Sequence, residues 1–344
     1  MGSTKVLGPA VVAALALTAC NGDITGGGDG DGADAGVAAV AFVAPAAGST
    51  HVRDALAPDG FLAADVPVAV EVTGADDVEV FVGDRSLGTV DAAGDLDGLV
   101  RELGPVTLTA RAHRDGAVVA EATLDVETVD PEVADCHGWL DLYQLDYTLG
   151  PNNQGVADPV TLTTPINGMV HRYVSNTSPR QTFFMDCSLA RSLAQAAAIL
   201  RSRGVVEVAD IGVYNYRCIG GEGTPPDCPR GMSQHAYAKA IDLAGFTLDD
   251  GSYAEVKTDW VIDPDGEPTC EAPAEPGADQ WLHDTICALK RAGVWNIVLT
   301  PNYNADHRDH FHVDLTSGAD FIERQLGGPA LPAMVSVDVG PDDL

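Results

Sequence analysis

The hydrophobic period of this chain changes once, near Pro131, and that change limits the architecture to two unlike halves. From about residue 37 to 130 apolar and polar residues alternate, as in Val68-Ala69-Val70-Glu71-Val72, Val78-Glu79-Val80-Phe81-Val82 and Val106-Thr107-Leu108-Thr109-Ala110-Arg111-Ala112. A period of two sends successive side chains to opposite faces, so these segments predict strands with one buried side. Gly83-Asp84 and Arg114-Asp115-Gly116 supply turn chemistry between them.

A small antiparallel β-sandwich over residues 37–130 follows. Its strand rhythm resembles the immunoglobulin-like modules of exported bacterial proteins. Without an aromatic cluster to stack on sugars, it reads as a spacer rather than a glycan-binding module.

Beyond Pro131 the pattern is mixed. Ser188 to Arg203 has apolar residues three and four apart and is followed by Gly204, which predicts a capped helix. Asp279 to Ala292, closed by Gly293, predicts a second. Val205 to Tyr216, Leu243 to Thr247, residues 294–299 and residues 310–315 predict strands.

The N-terminus points to export. Met1 to Lys5 is short and basic, and Val6 to Leu17 is an apolar run too short to span a bilayer comfortably. The following Leu17-Thr18-Ala19-Cys20 resembles a lipobox, which implies lipidation at Cys20 and residues 1–20 as the lipoprotein signal segment. The chain is thus expected to be exported and anchored by lipid to a bacterial membrane, facing the periplasm or cell surface. Residues 21–36 are dominated by Gly and Asp, lack EF-hand spacing, and read as a flexible linker. The acidic, Pro-containing stretch over 328–344 reads as a disordered tail.

Six further cysteines, Cys136, Cys187, Cys218, Cys228, Cys270 and Cys287, all lie beyond Pro131. With no C-x-x-C pair, they suggest disulfides rather than a cysteine metal site. Neighbour pairing would join Cys218 to Cys228 and Cys270 to Cys287. The formal charge of −32 repels nucleic acid and anionic lipid head groups. The expected contact with membrane is the lipid anchor alone, and the expected state is a monomer.

Four of the nine histidines fall in two segments, Ser233-Gln234-His235-Ala236-Tyr237-Ala238-Lys239-Ala240-Ile241-Asp242 and His307-Arg308-Asp309-His310-Phe311-His312-Val313-Asp314. On a strand, His310, His312 and Asp314 share one face while Phe311, Val313 and Leu315 share the other. The imidazoles can then line a cleft while the apolar set enters the core. Imidazole and carboxylate are zinc donors, and a catalytic zinc site uses three protein ligands. The remaining histidines, His51, His113, His137, His171 and His283, read as surface or internally satisfied residues.

These runs, with the upstream Tyr216-Arg217-Cys218, resemble the extensin-like C-terminal domain family, over about Cys136 to Gly327. That family is similar to the D-Ala-D-Ala carboxypeptidase and lysostaphin type of zinc peptidases. The resemblance implies an α+β zinc-peptidase-like domain over 132–327, with a small antiparallel sheet and flanking helices. It implies Zn2+ held by His235, Asp242 and His312, with Asp309 or His310 as the proton carrier. Arg217 is a candidate for stabilising an oxyanion or binding a substrate carboxylate, and Asp314 for orienting a ligand. The family has glycine three residues after the first histidine, where this chain has Ala238. The expected activity is hydrolysis of peptide bonds in peptidoglycan stem peptides or cross-links, as a carboxypeptidase or an endopeptidase. The alternative is a catalytically silent cell-wall-binding or scaffolding lipoprotein.

Overall fold

The computed structural model describes residues 37–91, 93–262, 269–271 and 273–322. The expected signal segment with Cys20, the linker over 21–36 and the tail over 328–344 lie outside the described residues. Among the described residues no helix is long and apolar enough to cross a membrane.

The first half is all strand: β1 (Ala39–Ala44), β2 (Thr50–Val52), β3 (Ala55–Leu56), β4 (Leu62–Thr73), β5 (Asp77–Val82), β6 (Arg85–Thr89), β7 (Asp95–Val100), β8 (Gly104–Arg114) and β9 (Ala117–Val129). One sheet pairs β4 with β1, β3 and β7; the other runs β2-β9-β8-β5-β6. Val66, Val68 and Val70 of β4 meet Val78, Val80, Leu108 and Ala110 from the other sheet in one core cluster. Alternation places them there, and each buried valine or leucine contributes about 1.5–3 kcal/mol. The β8–β9 turn uses Asp115 and Gly116 at φ 52° and 77°, two consecutive left-handed residues that match the twist of the hairpin.

The second half begins with α1 (Cys136–Leu142) and continues through β10 (Tyr147–Leu149), β11 (Pro159–Thr163), β12 (Val170–Tyr173), β13 (Thr182–Asp186), α2 (Cys187–Ser202) and β14 (Val205–Gly212). After a loop and a 3₁₀ turn (Gln234–Tyr237) come β15 (Ala240–Leu248), β16 (Tyr253–Glu255), α3 (Val256–Asp259), α4 (Ala278–Arg291), β17 (Ile297–Leu299), β18 (Phe311–Asp314) and β19 (Phe321–Ile322). Leu189, Leu193 and Ala197 of α2 and Leu282 and Ile286 of α4 join Ile241, Phe246, Phe311 and Val313 in a second core.

Both long helices lie within one residue of their expected bounds. Asp186 caps α2 by accepting from Ser188 N at 3.1 Å, and Gly204 follows it at φ 81°. The sheet differs from the small antiparallel one expected. Its seven strands run β12-β14-β15-β18-β17-β19 with β16 on β15, and β12–β14 and β17–β19 are parallel. The short edge strands β12, β16 and β19 carry too few residues to show a period. The strand expected to reach Tyr216 ends at Gly212, and Val213 onward leaves the sheet. The three disulfides are Cys136–Cys187, Cys218–Cys228 and Cys270–Cys287, so both neighbour pairs form.

The spacer reading needs modification. Leu56 and Leu62 of the first half pack with the second core, and Asn167 Nδ2 donates at 2.8 Å to both Gly60 O and Ala194 O. Arg201 reaches Pro58 O at 3.4 Å. The two halves are therefore docked to each other through the β3–β4 connection, within a single compact unit that starts at Ala38.

His171 on β12 is buried, and burial, with the Arg180 charge second, holds its pKa at about 3. Below pH ~6.5 the unfolded chain takes up a proton that the folded chain refuses until about pH 3, so stability falls as pH drops through that window. Asp210 acts in the opposite sense. Burial raises it to about 6 although Arg180 lowers it, so the folded state gains a proton first as pH falls below 6. His171→Leu is expected to reduce the loss of unfolding free energy between pH 7.5 and 5.5 by about 1 kcal/mol, read by urea titration. Equal losses in the variant and the parent would contradict this.

Candidate metal centre

Strand register brings Asp242 and His312 together. On the antiparallel β15–β18 ladder they are direct partners, so their side chains leave adjacent backbones on the same face. His312 Nδ1 and Asp242 Oδ1 are 2.9 Å apart. The buried Phe311 and Val313 hold β18 in that orientation from the opposite face.

His235 arrives from the 3₁₀ turn just before β15. Ser233 Oγ accepts from His235 N at 3.3 Å, and Ala238 closes the turn at φ 53°. The alanine thus occupies the left-handed region that glycine favours, at a cost of order 1 kcal/mol. Hydrogen bonds from Ala238 N to His235 O (3.2 Å) and from Asp186 N to Ala238 O (3.1 Å) hold it there. Gly155 (φ 83°) packs so closely on this turn that a Cβ would lie 2.4 Å from Ala236 O, so the loop can approach only without a side chain.

Within this frame His235 Nε2 lies 3.1 Å from Asp242 Oδ1 and 3.2 Å from His312 Nδ1. His235 Nδ1 donates to Val213 O at 2.7 Å, and His312 Nε2 donates to Asp314 Oδ2 at 3.0 Å. In its neutral form each imidazole therefore spends its N–H outward and turns a lone pair inward. Three acceptors converge, and a positive charge must sit among them. A shared proton can satisfy one contact at a time, whereas a metal ion satisfies all three. Tetrahedral bonds of ~2.05 Å would place ligand atoms about 3.4 Å apart, near the separations here. Two imidazole nitrogens and one carboxylate oxygen fit a metal centre.

Electrostatics agree with a cation-seeking site. Burial opposes ionisation of Asp242, but hydrogen bonds with His235 and His312 outweigh it and hold the carboxyl far below the usual range. For His312 burial favours the neutral ring, yet Asp242 and Asp314 push it up to about 9. Burial, then the charge of His312, brings neighbouring His307 down to about 4.

The other expected residues gather nearby. His310 is 9% exposed, donates from Nδ1 to Asp309 Oδ1 at 2.8 Å, and places Nε2 3.5 Å from Asp242 Oδ1. Asp309 and His310, alternatives in the sequence, are here two members of one chain of contacts. His235, Asp242 and Arg217 line an open cleft of about 840 Å³. Sequence reasoning missed Arg180, which lines the same cleft and holds the fully buried Asp210 in a bidentate pair at 2.6 and 3.0 Å. Thirty residues separate this pair, and nothing in either local sequence signals it. The ring of His307 lies 5.2 Å from that of His310 and 5.8 Å from that of His312, which adds a fourth imidazole to the site.

Residues 154–322 match the family described as extensin-like protein C-terminus. The extensin-like region thus contains all three converging ligands and lies within the span of the resemblance read from the sequence. No curated protein matches the chain. Among solved structures, fibronectin(III)-like modules of Clostridium thermocellum CbhA align over 27% of this chain and 98% of theirs, at 20% identity and a TM-score of 0.21. A β-glycosidase from Bacteroides vulgatus aligns over 37% of this chain and 14% of its own, at 21% identity and a TM-score of 0.18. Superpositions this weak say nothing about the fold or chemistry of either half.

The donor geometry predicts that protein equilibrated with zinc and desalted retains stoichiometric metal by elemental analysis. His312→Ala and Asp242→Asn should lose it, while Asp309→Asn should keep it. Full retention by His312→Ala would dismiss the ligand set.

Proposed function

We propose that the extensin-like region is a zinc-dependent hydrolase of peptide bonds in bacterial peptidoglycan, related to the D-Ala-D-Ala carboxypeptidase and lysostaphin type of peptidases. The observation that carries this reading is the convergence of His235 Nε2, Asp242 Oδ1 and His312 Nδ1 at one edge of an open cleft. Zinc bound there would polarise a scissile carbonyl and bring the pKa of its water towards neutrality.

The chain's own groups divide the remaining work. Val213 O and Asp314 orient the two imidazoles. His310, with Nδ1 tied to Asp309, presents Nε2 beside Asp242 and is the better placed proton carrier; Asp309 orients it. Arg217 lines the cleft with no ion-pair partner among the described residues, which suits a developing oxyanion or a substrate carboxylate. On this reading the chain is a lipoprotein anchored through Cys20 and facing the periplasm or cell surface. The N-terminal half is an immunoglobulin-like sandwich docked to the enzyme.

Purified mature protein incubated with peptidoglycan and defined muropeptides should release products identifiable by mass, and a chelator should abolish them. Loss of a terminal residue indicates carboxypeptidase action, and separation of cross-linked stems indicates endopeptidase action. His310→Ala should lower kcat by about 10²–10⁴ with zinc retained. Absence of chelator-sensitive cleavage across these substrates would favour the silent wall-binding module.

A further inference from the structure

Ser188, Arg191, Ser192 and Gln195 stand three and four residues apart on α2 and so share one helical face. That face, together with Trp139 of α1 and Val294 after α4, lines an open pocket of about 600 Å³, ample for a small organic ligand. None of its lining residues belongs to the cleft at the metal centre.

Among the described residues Arg191 is the one cation lining the pocket, and Asp135 the one carboxylate. Arg191 lies 3.7 Å over the Trp139 ring, a cation–π contact that fixes the plane of its guanidinium. Its Nε is sealed from solvent and has no hydrogen-bond partner among the described residues. The guanidinium makes no ion pair there either. Ser192 is only 6% exposed and lines the same pocket. Ser188 donates to Asp186 Oδ1 at 2.6 Å. The sealed Nε is closed to a ligand, so an acceptor entering the pocket would meet the Arg191 Nη groups, which make no hydrogen bond or ion pair among the described residues, beside the Ser192 hydroxyl.

We propose that this pocket binds a small organic carboxylate, whose oxygens accept from Arg191 and Ser192. The planar fork matches a carboxylate. A single cation, with Asp135 also lining the pocket and −32 on the whole chain, disfavours multiply charged anions. Trp139, Val294 and Leu315 provide apolar wall for the carbon chain of the ligand. The proposal stands independently of the hydrolase reading.

The test uses the full mature chain, treated with chelator so that no metal captures the probe, and follows amide NMR shifts. N-acetylglycine should shift Ser188, Ser192 and Gln195 saturably, while N-acetylglycinamide and inorganic phosphate should not. Arg191→Met should weaken binding at least about tenfold, and Ser192→Ala about threefold or more. Should Arg191→Met fail to fold, Arg191→Lys, which keeps the charge and loses the fork, serves in its place with the same expectation. Shifts confined to residues around His235 and His312, an equal response to the amide or phosphate, or undiminished binding in these variants would overturn the assignment.

Discussion

Asp242 and His312 face each other across the β15–β18 ladder, and the remainder of the extensin-like region can be understood as what keeps them there. A slip of β18 by one residue would turn His312 to the other face and bring Phe311 and Val313 out of the core. The register is therefore fixed by apolar burial, while the chemistry it positions is polar. Buried Phe311 and Val313 on one face set the geometry of His312 on the other. His235 has no ladder to hold it and relies on Val213 O, Ser233 and the left-handed Ala238.

The charge distribution sharpens this arrangement. On a chain of net charge −32, each arginine in the cleft stands against the field of the whole protein. Arg180 is neutralised by Asp210, whose complete burial makes that bidentate pair a fixed part of the cleft wall. Arg217 lines the same cleft and makes no ion pair among the described residues. Of the two arginines lining this cleft, Arg180 is thus held in its wall by an ion pair and Arg217 is not.

How much was legible in the sequence follows from how local each signal is. Alternation in Val68–Val72 and Val106–Ala112 is a property of neighbours, and so is the helical spacing of Ser188–Arg203; both appear in the structure where the pattern puts them. The convergence of His235, Asp242 and His312 was legible in part, because parity along β18 aims His312 and Asp314 to one side while H-x(6)-D joins a turn to the strand that follows it. Elements that depend on distant partners left no such trace. The edge strands β12 and β19 owe their existence to β14 and β17. The Arg180–Asp210 pair and the docking of Gly60 on Asn167 join segments 30 and 107 residues apart. The end of β14 was misplaced because Val213 and Tyr214 are apolar enough to continue a strand, yet Val213 O is needed by His235 and the chain turns away.

The disulfides complete the argument about position. Cys218–Cys228 closes part of an excursion whose two ends, Arg217 and Ser233, are joined by a hydrogen bond from Ser233 N to Arg217 O at 3.1 Å. One end presents a cation to the cleft and the other caps the turn that carries His235. Fluctuation of fifteen intervening residues would otherwise act on both at once; the cross-link shortens the free part of the loop and so reduces the entropy lost in holding its ends together. Cys136–Cys187 does the same for α1, a helix of seven residues too short to be stable alone, by fastening its first residue to the first residue of the buried helix α2. Two of the three covalent links thus serve the loop beside the cleft and the short helix that walls the Arg191 pocket.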